Sequence, residues 1–323
     1  MNNLTVTRNI FVVRGGFIKY FFLRKRRPMN CKKARYDINV ASTSTSEVER
    51  FKVFLITMDK IDVYWNYVDK GAADMATIAG IDYIWEAPDI KNNERQIEIL
   101  NNAVENGADL ILLAANDPVA ISRAIEDAKS KNVKLIYVDS PAYEEAIITL
   151  STDNYAAGRT AGGIMLNELE AAGIKNGSIG IIGVNRKINS TMNREAGFRD
   201  VLAEDGRFIV IPTAYREGDP AMSQEAAEGF IIYNSDLVGI FGANEGSTVG
   251  VGNAIKTYNN KIIGIGFDRS VPIVRLLNEG SLKAVIVQNP YTMGYLGMAE
   301  AVAALKGFDT GPAEINTGVA ILT

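Results

Sequence analysis

The stretch Ile262–Ile263–Gly264–Ile265–Gly266–Phe267–Asp268 decides how the rest of the chain is read. An apolar run rich in isoleucine climbs to an aromatic residue and stops at a carboxylate. It is too short for a helix, so it predicts a buried parallel strand over 261–267. In open α/β sheets, ligands bind just beyond the carboxyl ends of such strands. Asp268 stands at that position, with Phe267 before it. The same aspartate would also suit the start of a helix near Val271, because Asp is a preferred cap residue. Position alone leaves both readings open, and the other strand ends must decide between them.

Outward from this strand, apolar runs alternate with helical patterns. Strands are predicted over 51–57, 81–86, 110–114, 134–138 and 147–150, with helices over 63–79, 91–105, 118–130 and 155–172. The pattern then starts again. Strands are predicted over 178–183, 208–213, 237–243, 261–267, 282–287 and 319–322. Helices fill the gaps over 189–202, 220–233, 248–258, 271–278 and 292–306. Strands alternating with such helices predict an α/β fold of parallel sheets covered on both faces. Two rounds of the pattern predict two similar doubly wound lobes.

Composition narrows the function. The chain has 323 residues, is 47% hydrophobic and 22% charged, and holds one cysteine and no histidine. That length is enough for two domains. The lone Cys31 forms no intrachain disulfide. Without histidine or a cysteine cluster, the usual zinc ligands and any histidine base or triad are missing. No zinc site and no cofactor are therefore expected. Residues 1–36 carry ten basic residues and no acidic one, which leaves 24 basic against 38 acidic residues in the remainder. An acidic body argues against nucleic acid as the partner.

Residues 1–49 read as a leader followed by a flexible tether, the tether being the polar run at 41–46. The leader is basic and partly apolar, but its densest charge, Arg24–Arg27, follows the apolar part. This is the reverse of a secretory signal. Cys31 could carry a lipid at the cell surface, although Pro28, Met29 and Asn30 before it do not match the small residues such sites need. Otherwise it is an unpaired cysteine.

The strand ends share a chemistry. Asp59 and Asp62, Asp139, Asn244, Asp268 and Gln288 all stand there, and all carry planar hydrogen-bonding groups. Tyr64, Trp65 and Phe267 stand beside them. Carboxylates and amides bridge the adjacent hydroxyls of a sugar, and aromatic faces stack on its C–H face. Each residue alone reads as a helix cap or turn former. Together, at equivalent places in two lobes, they predict a cleft that closes over a polyhydroxylated ligand.

With these segments in view, the chain resembles the type 1 periplasmic binding proteins over about residues 50–323. The likeness is to the ribose- and galactose-type sugar-binding subunits of bacterial ABC importers. Asp62–Val63–Tyr64–Trp65, followed by Asp69–Lys70–Gly71–Ala72, is similar to the family's first-helix motif, whose paired aromatics stack on the sugar. Leu135–Ile136–Tyr137–Val138–Asp139 resembles the strand whose terminal Asp binds hydroxyls. Thr152–Asp153–Asn154 with Gly158 is similar to the signature of the first crossover. Arg194–Glu195–Ala196–Gly197–Phe198 resembles the segment whose Arg enters the site from the second lobe. Ala243–Asn244–Glu245, Gly266–Phe267–Asp268 and Val287–Gln288 match the remaining binding ends.

The resemblance implies a periplasmic-binding-protein-like fold with a three-crossover hinge. One lobe would span 50–152 plus 289–316, the other 153–288 plus 317–323. It implies a monomer outside the cytoplasm, in the periplasm or at the outer face of the cell membrane. That monomer would capture a monosaccharide by hinge closure and deliver it to an ABC transporter permease, with no enzymatic step. Asp59, Asp62, Tyr64, Trp65, Asp139, Arg194, Asn244, Phe267, Asp268 and Gln288 would be the ligand-binding residues.

There are departures. Ribose binders have an Arg after the strand-four Asp; here Ser140 and Pro141 follow. The first loop carries Asp59 and Lys60 where ribose binders have mainly small or amide side chains. Both argue against a ribose pocket. No Asp/Asn-rich loop matches the calcium site of galactose-type members, so no metal is expected.

Three other classes share part of this pattern. A sensor that hands its sugar-bound state to a histidine kinase or chemoreceptor has the same sequence features. A lactose-repressor-type core would need a helix-turn-helix segment, and residues 1–50 show no helical periodicity or Gly-turn for one. Against an enzyme on a doubly wound fold, no Gly-rich phosphate loop of Rossmann or Walker type follows strand one, and there is no histidine.

Overall fold

The computed structural model describes residues 50–258 and 262–323. The leader and tether expected over 1–49, with Cys31, lie outside the described residues, as does Lys261. The chain runs β1 (Lys52–Ile56), α1 (Val63–Ala79), β2 (Asp82–Glu86), α2 (Asn93–Glu105), β3 (Leu110–Leu113), α3 (Ser122–Ser130), β4 (Lys134–Val138) and β5 (Thr149–Ser151). It continues with α4 (Asn154–Ala171), β6 (Gly177–Gly183), α5 (Asn189–Asp205), β7 (Phe208–Val210), β8 (Ala214–Tyr215), α6 (Pro220–Tyr233) and β9 (Leu237–Gly242). Then come α7 (Glu245–Thr257), β10 (Ile263–Phe267), α8 (Val271–Asn278), β11 (Ala284–Gln288), α9 (Pro290–Leu305), β12 (Glu314–Asn316) and β13 (Val319–Leu322).

Two sheets result. The first has the order β12-β5-β4-β3-β1-β2, and the second β13-β11-β10-β9-β6-β7, with β8 beside β6. With β8 set aside, both orders counted within each sheet are sixth, fifth, fourth, third, first, second, so the two lobes share one winding. All pairings are parallel except β13 against β11. The order reverses between β1 and β3, and again between β6 and β9. A crevice opens beyond the carboxyl ends of strands at such reversals. The chain leaves the first sheet after β5, returns after β11 and leaves again after β12. These three segments run side by side and join the lobes.

The apolar runs follow from burial on both faces. Val53 and Leu55 enter one core and Phe54 and Ile56 the other; Leu110 and Leu112 part from Ile111 and Leu113 in the same way. A strand covered on both sides needs apolar residues at every position, which removes the two-residue alternation. The second sheet repeats this, with Ile263 and Ile265 in one core and Ile240 and Val285 in the other. Among the described residues no helix is long and apolar enough to cross a membrane.

Several helix starts differ from their expectations. Pro118 does not open α3, which begins at Ser122. The Asp117 carboxylate accepts the N–H groups of Val119 and Ala120 and holds residues 117–120 in a turn of their own. α9 starts at Pro290, two residues before the expected point, because proline suits the first helical turn.

Candidate functional site

The two lobes present matching strand ends to each other. Asp139 follows β4 and Asp268 follows β10. Both have left-handed backbone, with φ of 68° and 70°. Each donates its N–H to the next strand at 2.8 Å, Asp139 to Leu150 O and Asp268 to Ile286 O. Left-handed backbone costs an L-residue roughly 1–2 kcal/mol. Aspartate tolerates this conformation better than most residues, and its recurrence at equivalent strand ends of both lobes, unlike Asn132 and Glu217 elsewhere, sets the two carboxylates alike. Asp268 is not the helix cap; that position belongs to Ser270.

Arg194, on α5, is buried at 3% exposure. Its Nε donates to Asn154 Oδ1 at 2.8 Å and one terminal nitrogen to Ala243 O at 2.9 Å. Its guanidinium lies 3.9 Å from the centre of the Phe267 ring and 4.0 Å from Asp268 Oδ2. Gln288 completes a chain of bonds to the hinge. It donates to Asp268 Oδ1 at 2.7 Å and accepts from Thr152 Oγ1 at 2.9 Å. Thr152 and Gln288 stand where the first two lobe-joining segments begin, so the site's carboxylate is wired to the hinge.

From the first lobe, Asp62 caps α1 by accepting from Tyr64 N at 2.9 Å. Tyr64 donates its hydroxyl to Asp139 Oδ1 at 2.9 Å. Burial, reinforced by the Asp139 charge, holds that phenol well above its ordinary pKa, so it stays a donor. Trp65 meets Tyr64 edge-on, with ring centres 4.9 Å apart and planes at 85°. A flat ligand ring can therefore lie parallel to only one of them. The Trp65 indole N–H is buried and has no partner among the described residues. A buried donor left unpaired costs about 1–3 kcal/mol, which an acceptor on a ligand would recover.

These groups converge on one cavity of about 40 Å³ between the lobes. Asp62, Tyr64, Trp65, Asp139, Arg194, Asn244, Asp268 and Gln288 line it. Two residues expected there do not. Phe267 packs in the core of the second lobe and carries Arg194 on its ring. Asp59 folds back on its own loop, accepting from Ile61 N at 2.9 Å and Asp62 N at 2.8 Å, and pairs with Lys91 at 2.7 Å. Asn244 lines the cavity while also capping α7 through Ser247 N. Sequence reasoning missed Lys91, Ser190 and Thr191, which also line it.

The lobes touch around this cavity. Lys187 donates to Asp117 across the mouth at 2.8 Å. Ser140 Oγ donates to Asp139 Oδ2 at 2.7 Å and lies 3.0 Å from Ser190 Oγ on the opposite lobe. Among the described residues no cluster of acidic or cysteine side chains is placed to hold a metal ion.

Residues 53–309 match the periplasmic binding protein domain family. The chain belongs to that family. Its relatives include the ribose import binding protein of Haemophilus influenzae, 24% identical over 66% of this chain and 72% of the relative. The D-allose-binding periplasmic protein of Escherichia coli is 22% identical over 82% of this chain and 87% of its own. Among solved structures, a carbohydrate transporter solute-binding protein from Agrobacterium radiobacter, in complex with D-arabinose, is 28% identical. It superposes with a TM-score of 0.81 over 85% of this chain and 95% of its own. A solute-binding protein from Agrobacterium vitis with bound D-fucose is also 28% identical, with a TM-score of 0.77 over 84% and 95%. This family is one of binding proteins.

The periplasmic binding protein fold buries two carboxyls close together here, and pH should report it. Asp62 keeps some contact with the cavity but is surrounded by protein. Burial and the nearby Asp268 push it up to about 7, against the pull of Lys91. Burial pushes Asp268 up to about 6, with Asp139 and Glu245 adding and Arg194 and Gln288 opposing. In the unfolded chain such carboxyls titrate near about 4. Between these values the folded protein holds more protons than the unfolded chain. Stability therefore falls as pH rises through about 4 to 7, by ~1.4 kcal/mol per pH unit for each proton of difference, and levels off above. A higher melting temperature at pH 5 than at pH 8 is expected in the ligand-free protein, with Asp62→Asn flattening the slope. A melting temperature that rises with pH over this interval contradicts the charge arrangement.

Proposed function

We propose that the protein captures a monosaccharide between its lobes by hinge closure and delivers it, outside the cytoplasm, to an ABC transporter permease. Lobes 50–152 plus 289–316 and 153–288 plus 317–323 move as the two jaws of a monomer. Trp65 offers the sugar a ring face and a free N–H. Asp139, Asp268, Arg194, Asn244 and Gln288 bond its hydroxyls, with Asp62 at the rim of the first lobe. Phe267 acts indirectly by holding Arg194, while Lys91 lines the cavity and pairs with Asp59. The sugar leaves as it came, because nothing in the site is arranged to attack it.

The observation that carries this reading is the pair of left-handed aspartates, Asp139 and Asp268, facing one cavity from equivalent strand ends of two lobes. Relatives that import ribose or bind allose, and structures holding D-arabinose or D-fucose, support a monosaccharide as the ligand class. The cavity of about 40 Å³ has room for only a few waters, since one needs roughly 10–15 Å³. A sugar must therefore enter with the lobes apart.

A thermal-shift screen of the purified protein against pentoses, hexoses and 6-deoxyhexoses tests the proposal. A sugar held at 100 times its Kd should stabilise the fold by about 2.7 kcal/mol, because only the folded state binds it. One or a few epimers should shift the melting temperature clearly. A flat response to the whole panel removes the sugar reading.

A further inference from the structure

A second, larger cavity of about 270 Å³ adjoins the first, and the two share Tyr64, Asp268 and Gln288 as walls. This outer chamber is bounded by Tyr67 on α1, Tyr291 at the start of α9, and Glu245 and Arg269 of the second lobe. Both tyrosine rings are partly open to solvent, with 49% exposure for Tyr67 and 40% for Tyr291. The fold does not bury either ring. Tyr291 is nonetheless held in place: its hydroxyl donates to Asp74 Oδ2 at 3.0 Å and its ring stacks on Tyr295. Arg269 directly follows the strand-end Asp268. Among the described residues its guanidinium makes no ion pair or hydrogen bond, and Glu245 makes none through its carboxylate.

The chamber thus offers two aromatic faces, one free cation and one free anion, directly outside the walls that would hold a sugar. Tyr64, Asp268 and Gln288 mark the side of the ligand that faces outward. A ligand hydroxyl on that side would be directed toward the chamber, and so would anything attached to its oxygen. Tyrosine faces suit the C–H face of a second sugar or the face of an aromatic ring, and exposed aromatic rings in a cavity are poor walls for solvent alone.

Building on the sugar-capture reading, we infer that the ligand is a ring-bearing glycoside. Its sugar ring occupies the inner cavity, and its O-linked second ring lies in the outer chamber between Tyr67 and Tyr291. A free monosaccharide then uses only half of the site.

Calorimetric titration of the full chain tests this with three probes: the monosaccharide giving the largest thermal shift, its phenyl glycosides, and disaccharides carrying that sugar at the non-reducing end. Both anomers are needed, since only one directs its substituent outward. At least one glycoside should bind about ten-fold tighter than the free sugar, which corresponds to about 1.4 kcal/mol. Tyr67→Ala should erase that gain and leave free-sugar affinity within about two-fold, while Tyr67→Phe, which keeps the ring, should preserve the gain. A gain with the disaccharide alone assigns the outer group as a second sugar; a gain with the phenyl glycoside alone assigns it as aromatic. The inference is overturned if every glycoside binds no tighter than the free sugar, or if Tyr67→Ala weakens free sugar and glycoside alike. Failure of all sugars and glycosides to bind would instead overturn the sugar reading, and this inference with it.

Discussion

Replacing Arg194 with alanine should abolish measurable sugar binding and lower the stability of the ligand-free protein. The guanidinium is enclosed by the Phe267 ring, Asn154 Oδ1, Ala243 O and the Asp268 carboxylate. At 4.0 Å its contact with Asp268 is a charge pair without a direct hydrogen bond, so a terminal nitrogen remains for the ligand. Alanine would leave Asp268 buried near Asp139 and Glu245 with no cation opposing them. Removing one partner of a buried pair costs about 3–5 kcal/mol. If most of that is felt in the closed, liganded state, affinity falls by a factor on the order of 10² to 10³. Arg194→Lys should rescue little, because lysine cannot stack on Phe267 while donating to Asn154 and Ala243 together. Calorimetry and a melting curve on the same sample check both effects. Unchanged affinity would remove Arg194 from the site.

A second large effect should come from a position that touches no ligand. Gly158 on α4 packs so closely on α5 that a Cβ there would overlap the carbonyl oxygen of Arg194 itself. Gly197 on α5 meets Tyr155 O in the same way, so the two helices cross backbone to backbone. Gly158→Val would push α5 away and carry Arg194, Ser190 and Thr191 out of register with the first lobe. Overpacking typically costs about 1–3 kcal/mol, and a clash with backbone should reach the upper end or exceed it. The melting temperature should drop by on the order of 5–10 °C, and sugar affinity should fall with it. Gly163, on the same helix, is the control, since a Cβ there meets nothing within 4 Å. Gly163→Ala should be neutral or stabilising by up to about 1 kcal/mol, because alanine is the better helix former. Equal effects at both positions would contradict the close crossing.

The contrast between these two glycines marks what the sequence can and cannot show. Both are glycines in one helical pattern, and only the packing of α5 tells them apart. The strands were legible because burial on both faces writes itself into the chain as runs such as Leu110–Leu113. The two-residue β8 and three-residue β12 carry no such run and leave no signal in the sequence. Asp139, Asp268 and Gln288 were legible because a strand's end fixes where its next side chain stands. Phe267 stands one layer further back than its sequence position suggests. It precedes Asp268 in the strand, so its side chain takes the opposite side of the sheet and joins the core. Lys91, Ser190 and Thr191 left no signal. They reach the cavity from the loop before α2 and the first turn of α5, where polar residues are ordinary. The left-handed backbone of the two aspartates is also invisible in sequence, since each follows an unremarkable strand.

The claim at the centre is that a sugar sits against Trp65 between the lobes. The chain has two tryptophans, and the other, Trp85, lies on β2 with its indole N–H donated to Thr57 Oγ1 at 2.9 Å. Trp85→Phe leaves Trp65 as the only indole emitter, and its fluorescence can be titrated with the monosaccharide that stabilises the protein most. A saturable change in Trp65 emission is expected, with the same Kd as calorimetry, and it should vanish when Arg194→Ala is added. Saturable heat with no change in Trp65 emission would place the sugar elsewhere on the protein and contradict the account.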